Sequence, residues 1–103
     1  MERADKYYRR WKQGYTIQLS LKPSEYFARQ VYATFIDDPE GLRTYNHFPA
    51  GRDNFMWSTD YPHQAATWPH SREVVERDFQ ALPEVDRRKI IRENTARLYA
   101  FAM

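Results

Sequence analysis

Two short runs of β-branched and aromatic residues interrupt a chain whose apolar residues otherwise recur at helical spacing. Residues 30–38 (QVYATFIDD) and residues 54–60 (NFMWSTD) predict strands, and each run ends in an acidic residue. In the first run apolar side chains occupy both alternating sets, a pattern typical of a parallel strand that is covered on both faces.

The spacing of apolar residues outside these runs predicts four helices. They cover residues 2–12, residues 39–47, a segment that starts at Ser71 and a segment that runs from Pro83 to about Phe101. The second helix has a well-defined start, because Asp38 is a suitable N-cap and Pro39 suits the first helical position. Gly41 weakens this helix, since glycine lowers helix propensity.

One segment near the start of the chain is ambiguous. Ile17, Leu19 and Leu21 alternate as in a strand, but Pro23 then prevents a long regular element. Ser24 could cap a short helical turn at this point.

The order of the two predicted strands indicates an α/β fold. About twenty residues and one helix separate them, which is the spacing of a right-handed βαβ unit with parallel strands. Such sheets carry their functional residues in the loops at the carboxyl ends of the strands. Asp60 lies at that end of the second strand, and Asp37 and Asp38 lie at that end of the first.

Composition narrows the class of protein. The 103 residues suit one small domain, and the absence of cysteine excludes disulfides and thiolate metal sites. Mean hydropathy is −0.90 and no apolar run could span a bilayer, so we expect no membrane association. The first residues lack the apolar core of a secretory signal, which predicts a cytoplasmic protein.

The charge pattern contains one local feature. Net charge is +2, and only residues 6–12 (KYYRRWK) are locally basic. Their aromatic rings could stack on bases while their cations meet phosphates. The sequence favours instead a helix with an apolar edge of Tyr8 and Trp11 and a solvated basic face, and therefore predicts no nucleic-acid partner.

The stretch that follows the second strand carries the candidate chemistry. A carboxylate such as Asp60 at a strand's carboxyl end can bind a metal, accept a proton or orient a water molecule. The alternative is an aspartate that accepts backbone N–H bonds at the start of a loop. His63 is close enough in sequence to meet Asp60 in a turn.

Aromatic residues around this stretch allow two interpretations. Trp57, Tyr61 and Trp68 could wall an apolar substrate pocket. Alternatively, Trp57 belongs to the core and Trp68 only braces the loop. The chain has three histidines and no H-x-H pair, whereas a catalytic zinc site usually has three protein ligands. We therefore do not expect a self-contained metal centre.

Two blocks of the sequence resemble a known family. The longer is MWSTDYPHQAATWPHSREVVERDFQALPEVDRRKIIRENTARLYAF, with the features W-S-[ST]-D-Y-P-H, T-W-P-x-S and R-x-N-x-A-R-L-Y. The upstream block is PSEYFARQVYATFIDDPEGL. In this order and spacing they resemble the carboxyl-terminal end of amidohydrolase-related, metal-dependent TIM-barrel hydrolases, in the branch that includes aminocarboxymuconate-semialdehyde decarboxylase-type enzymes.

The resemblance implies a fold and a site. The fold would be a partial (β/α)8 barrel, with the last two βα units plus the C-terminal helix. Residues 30–36 would be the seventh strand and residues 54–60 the eighth. Asp60 would be the catalytic and metal-binding aspartate, and His63 and Trp68 would line the substrate pocket. The cofactor would be a divalent metal, with zinc as the first candidate.

The resemblance also implies that residues 1–103 form the C-terminal fragment of a barrel domain. A whole barrel needs roughly 250 residues, and the family's H-x-H pair and later histidines are absent from this sequence. We expect a hydrolase fragment that is marginally stable and inactive alone. A metal-dependent decarboxylase fragment or a non-catalytic interaction module is the alternative. Its partners would be a small-molecule substrate in the complete enzyme, and the missing N-terminal barrel portion or a second copy.

Overall fold

A two-stranded parallel sheet lies among helices in the computed structural model, which describes residues 1–14, 16 and 18–102. In chain order the elements are α1 (Glu2–Trp11), α2 (Pro23–Gln30), β1 (Ala33–Phe35), α3 (Pro39–Thr44), α4 (Gly51–Asn54), β2 (Phe55–Trp57), α5 (Ser71–Phe79), α6 (Glu84–Arg88) and α7 (Asn94–Tyr99). A π-helical segment, Lys89–Glu93, joins α6 to α7, and short 3₁₀ turns follow α1 and α3. No helix in the described part of the chain is long and apolar enough to cross a membrane.

The sheet confirms the predicted parallel pairing. Ala33 lies opposite Phe55 and Phe35 opposite Trp57, with α3 in the connection between the strands. The backbone N–H of Ser58 donates to the Phe35 carbonyl at 2.8 Å and extends the pairing by one bond. The structure is thus a mixed α/β arrangement.

Both strands are shorter than the sequence predicts. The helix α2 continues through Gln30, and Asn54 belongs to α4, so each helix takes the first residue of a predicted strand. After Ser58 the chain turns away, and Asp60 has a φ of 59°. The helix α4 is an addition to the predicted set, and α2 is longer than the short helical turn that Pro23 and Ser24 allowed.

The covering of β1 also differs from the prediction. Phe35 is buried, but Ala33 and Thr34 are exposed. Within the residues that the structure describes, no second layer covers these two positions. The sequence pattern of this strand therefore predicts more burial than the described elements provide.

The core lies between the sheet and the helices that follow each strand. Its buried members are Phe35, Leu42, Tyr45, Phe55, Phe79 and Ile90. The rings of Phe35 and Phe55 meet edge to face with centroids 5.3 Å apart, so neighbouring strands are joined by an aromatic contact as well as by the ladder. Because α3, α5 and the π-helical segment all contribute, the core fixes the position of both strands.

The start of α3 follows the predicted chemistry. Asp38 Oδ1 accepts a hydrogen bond from the Gly41 N–H at 2.8 Å, and Pro39 is the first helical residue. A Cβ atom on Gly41 would lie 2.4 Å from Asp38 Oδ2 and 2.6 Å from Phe35 Cε1. Glycine at this position therefore allows the helix to approach the core, whatever its cost in helix propensity.

The other predicted helices are confirmed with altered caps. Ser71 is the first helical residue of α5, and its hydroxyl pairs with Thr67 Oγ1 at 2.9 Å. Ser24 lies inside α2, where its N–H and hydroxyl donate to Asp5 and join α1 to α2. Ile17, one of the three alternating residues, lies outside the described residues.

Candidate active site

The loop after β2 is compact and tied to the elements on either side. The N–H of Thr67 donates to the Thr59 carbonyl at 3.0 Å, which closes the loop across its base. Inside it, the N–H of His63 donates to the Asp60 carbonyl at 2.8 Å, and the N–H of Ala66 donates to the His63 carbonyl at 3.0 Å. Thr67 is buried and bonded to Ser71, so the loop is also anchored on α5. These contacts hold the loop side chains in a defined arrangement.

Asp60 lies in the first turn of this loop, and its carboxylate has no partner among the described residues. Its φ of 59° is in the left-handed region, where aspartate is better tolerated than most other residues. Its N–H donates to Ser58 Oγ at 3.3 Å, and the residue is half-buried. In the described chain nothing donates a hydrogen bond to the carboxylate, and no cation pairs with it. The side chain therefore does not make the backbone bonds expected of an aspartate that only starts a loop.

The two acidic residues at the carboxyl end of β1 have structural partners. Asp38 caps α3. Asp37 pairs with Arg77, which also donates to Asp78 at 2.6 Å. Hydrogen bonds from Arg77, first to Asp78 and then to Asp37, raise the pKa of this guanidinium above its usual range. Of the acids that follow the two strands, only Asp60 has a carboxylate without a partner among the described residues.

His63 and Trp68 lie in the same loop as Asp60, and both are exposed. The backbone bond between His63 and Asp60 puts them in one turn. The Trp68 ring meets Tyr61 edge to face, with centroids 6.1 Å apart, and these rings are 65% and 67% exposed. Trp57 is partly buried and packs against the core, as one of the two interpretations predicted, and its Nε1 donates to the Ile36 carbonyl at 2.8 Å.

The donor atoms of the described residues do not form a complete metal centre. Among residues 1–14, 16 and 18–102 there is no group of three or more histidine, cysteine, aspartate or glutamate side chains that could hold a metal ion. His70 instead lies 3.2 Å from Glu73 on the surface of α5. Asp60 fits a metal only as a single oxygen ligand.

Comparison with known families gives a clear match. A family model described as amidohydrolase matches residues 18–101, which include both strands and the whole loop after β2. The chain belongs to the amidohydrolase family. Among curated proteins, none matches it significantly. Membership supports assignment to the hydrolase superfamily, and the decarboxylase-type branch stays a prediction.

Buried amides that the sequence did not predict hold the amino end of β2 in this amidohydrolase-family chain. Asn94 Nδ2 donates to the carbonyl groups of Phe55 at 2.8 Å and Arg52 at 3.0 Å, and the side chain is 1% exposed. Asn54 Nδ2 donates to the Ala28 carbonyl at 2.6 Å and to that of Val31 at 3.2 Å. The signal for Asn94 was a polar residue four positions after Ile90, on the apolar face of the last helix.

A buried phenol and carboxylate support the same end of the strand. The Tyr45 hydroxyl donates to Asp86 Oδ2, and Arg52 Nε lies 2.5 Å from Asp86 Oδ1. That contact with Arg52 is an ion pair without hydrogen-bond alignment, because Oδ1 accepts no hydrogen bond in the structure described. Burial, together with the hydrogen bond and charge of Asp86, raises the pKa of Tyr45 to about 12.

A third polar pair joins α4 to the π-helical segment. Lys89 Nζ donates to Asp53 Oδ1, and this hydrogen bond lowers the pKa of the Asp53 carboxyl below its usual value. The residue before Asn54 is thus also fixed. The polar side chains of this scaffold are paired with one another or with the backbone, whereas the Asp60 carboxylate has no partner among the described residues.

Proposed function

We propose that this chain provides the strand-eight aspartate of a metal-dependent hydrolase of the amidohydrolase family. Asp60 is the catalytic residue in this proposal, as one metal ligand or as the group that holds the reacting water. The unpartnered carboxylate at the carboxyl end of β2 carries the proposal, because carboxylates that stabilise a fold normally have hydrogen-bond or ionic partners.

A divalent metal fits this assignment only if residues from outside this chain supply further ligands. Zinc is the first candidate, and when bound it would supply an acidified water and a Lewis acid for a substrate carbonyl. The described residues offer one oxygen ligand, so the remaining ligands would come from a complementary barrel portion outside these 103 residues. The uncovered β1 residues Ala33 and Thr34 favour such a partner, with a second copy of the chain as the alternative.

The remaining loop residues would contact the substrate. His63 shares the turn of Asp60, and Trp68 forms an exposed aromatic pair with Tyr61. We assign these side chains to the mouth of the pocket, where an aromatic wall and an imidazole could orient a small molecule. Their roles depend on the assignment of Asp60.

A metal-dependent decarboxylase is the second candidate. The W-S-T-D-Y-P-H stretch, which resembles the decarboxylase-type branch, favours it. Hydrolysis and decarboxylation would use the same metal scaffold, so Asp60 has the same position in both. The products would distinguish the two reactions, because a decarboxylase releases carbon dioxide from a carboxylated substrate and a hydrolase cleaves its substrate with water.

Metal binding tests the role of Asp60 directly. Zinc binding to the 103-residue chain should be measured by calorimetry for the wild type, Asp60→Asn and the matched control Asp37→Asn. We expect weak binding that Asp60→Asn abolishes and Asp37→Asn preserves, because Asp37 is already paired with Arg77. Zinc binding at micromolar affinity or better that Asp60→Asn leaves unchanged would show that the assigned role is wrong.

Complementation tests the composite site. A polypeptide from the neighbouring coding region with an H-x-H strand and the remaining strands should bind this chain and restore metal-dependent hydrolysis, and Asp60→Asn should remove that activity. Compact, monomeric chains that unfold cooperatively and never bind such a polypeptide would favour the non-catalytic interaction module.

A further inference from the structure

The first helix attaches to the rest of the chain by one face only. The Asp5 carboxylate accepts hydrogen bonds from Ser24, and the Tyr8 hydroxyl bonds to the backbone of Leu19 at 3.0 and 3.1 Å. Asp5 and Tyr8 are the two half-buried residues of α1, and its other residues are exposed. They therefore define the attached face of the helix.

The opposite face of α1 combines cations with aromatic rings. Helical spacing puts Arg3, Lys6, Tyr7 and Arg10 together, with Trp11 one turn after Tyr7. We call these five residues the aromatic–basic face. Tyr7 is 45% exposed and Trp11 54% exposed. Of the predicted apolar edge, Tyr8 packs against the chain, whereas Trp11 lies in the solvated basic face.

Each ring of the aromatic–basic face has a guanidinium beside it. The Arg3 guanidinium carbon lies 5.5 Å from the centroid of Tyr7, and that of Arg10 lies 5.3 Å from Trp11. These cation–π contacts orient the rings at the surface and keep the charges next to them. A planar group stacked on such a ring would have a cation within reach of any phosphate attached to it.

The positive charge of the chain is concentrated in this helix and the residue after it. Residues 2–12 contain five basic and two acidic side chains, four of the basic ones in α1, whereas the rest of the sequence contains eleven basic and twelve acidic ones. One of the two acids, Asp5, lies on the attached face and is bonded to Ser24. An anionic partner complements this face, while an apolar protein surface would leave its cations buried without partners.

We propose that the aromatic–basic face binds single-stranded nucleic acid, with bases stacked on Tyr7 and Trp11 and phosphates on Arg3, Lys6 and Arg10. Stacking of this kind is tolerant of sequence, and arginine suits bidentate contact with phosphate. An anionic membrane is the less favoured partner, because Ala4 is the only aliphatic residue of α1 and little could insert among acyl chains.

The size of the face sets the expected strength of binding. It accommodates about two bases, and stacking of each should raise the affinity by roughly five- to a hundredfold. Neutralising three phosphates of a single strand predicts that log K falls against log salt with a slope of roughly −2. Binding should therefore be weak, sensitive to salt and poor for a duplex, whose bases are not free to stack.

Fluorescence anisotropy with the full 103-residue chain tests the proposal. The probes are a labelled twelve-nucleotide oligothymidine and a duplex of equal length, titrated between 50 and 200 mM salt. The variant Arg3→Gln/Arg10→Gln should bind at least tenfold more weakly than the wild type. The matched variant Arg9→Gln/Lys12→Gln removes the same charge but lies toward the attached face, one turn after Asp5 and Tyr8, and should change affinity less than threefold.

The aromatic residues provide the second comparison. Tyr7→Leu/Trp11→Leu should lose at least tenfold in affinity, whereas Tyr7→Phe/Trp11→Phe should keep most of it, because phenylalanine retains a ring for stacking. Circular dichroism checks that each variant remains helical. Two results would overturn the proposal, because each would mean that binding is general charge attraction. One is an equal loss of affinity in Arg3→Gln/Arg10→Gln and Arg9→Gln/Lys12→Gln, and the other is full binding by Tyr7→Leu/Trp11→Leu. Binding to phosphatidylserine vesicles without binding to the oligonucleotide would overturn it in favour of a membrane.

Discussion

The two ends of β2 differ in how their polar groups are satisfied. At the amino end, the amides of Asn94 and Asn54 and the Tyr45–Asp86 pair are buried and bonded within the chain. At the carboxyl end, Asp60 has no partner in the part of the chain that the structure describes. One strand of three residues thus connects a buried, bonded polar network to a carboxylate without a partner in the described residues.

The difference indicates a division of roles along the strand. A functional side chain needs neighbours that fix its backbone, while its reactive atoms remain available. The network at the amino end supplies rigidity, and the backbone bonds of the loop supply orientation. Substitutions at the two ends should therefore have opposite effects on stability and on function.

The largest loss of stability is expected from Asn94→Ala. The change removes both donors to the buried carbonyls of Arg52 and Phe55 and leaves a small cavity. Unsatisfied buried groups and lost volume together should lower the free energy of unfolding by about 2–4 kcal/mol. Urea unfolding followed by circular dichroism measures this value.

The neighbouring residue gives the control for that measurement. Thr95 is half-buried and makes no side-chain hydrogen bond within the described residues. Thr95→Ala should change the free energy of unfolding by less than about 1 kcal/mol, because alanine is also the better helix former. If Asn94→Ala lowered the free energy of unfolding as little as Thr95→Ala, the buried amide would not stabilise the amino end of β2.

A smaller loss is expected from Tyr45→Phe, with a distinct dependence on pH. The hydrogen bond to a charged partner should be worth about 1.5–3 kcal/mol at neutral pH. The pKa of Tyr45 is raised to about 12, so the folded state holds the phenol proton more tightly than the unfolded chain does. Its stabilising effect is present below about pH 10 and is lost as the pH rises from there through 12.

Unfolding at a series of alkaline pH values tests this dependence. The wild type should lose stability between pH 10 and pH 12, and Tyr45→Phe should show a shallower loss over the same range. Tyr99→Phe is the matched control, since the Tyr99 side chain is 62% exposed. Parallel curves for the wild type and Tyr45→Phe would contradict the role given to the buried phenol.

The sequence predicted the parts of the fold that local chemistry determines. The cap by Asp38, the parallel order of β1 and β2 and the helical spacing of the last segment all follow from residues close together in the chain. The family could also be predicted from the sequence, because the W-S-T-D-Y-P-H stretch that carries the resemblance is continuous. Position alone also singled out Asp60, although its catalytic role stays a prediction.

The features that the sequence did not predict depend on distant contacts. Asn94 and Phe55 are 39 residues apart, and Tyr45 and Asp86 are 41 apart. No local pattern pairs such residues. The predicted strands were also too long, since α2 takes Gln30, α4 takes Asn54 and the chain turns away after Ser58. The exposure of Trp11 likewise depends on which face of α1 meets Ser24 and Leu19.

The smallest change in stability is expected at the open end of the strand, from Asp60→Asn. Asparagine tolerates the left-handed backbone at φ 59°, and no hydrogen bond in the described structure depends on the carboxylate. The free energy of unfolding should therefore stay within about 0.5 kcal/mol of the wild type. Asp60→Val at the same position should cost about 1–2 kcal/mol, because a β-branched residue is strained in this conformation. A loss above 1 kcal/mol for Asp60→Asn would mean that the carboxylate stabilises the fold, and the contrast between the two ends of β2 would disappear.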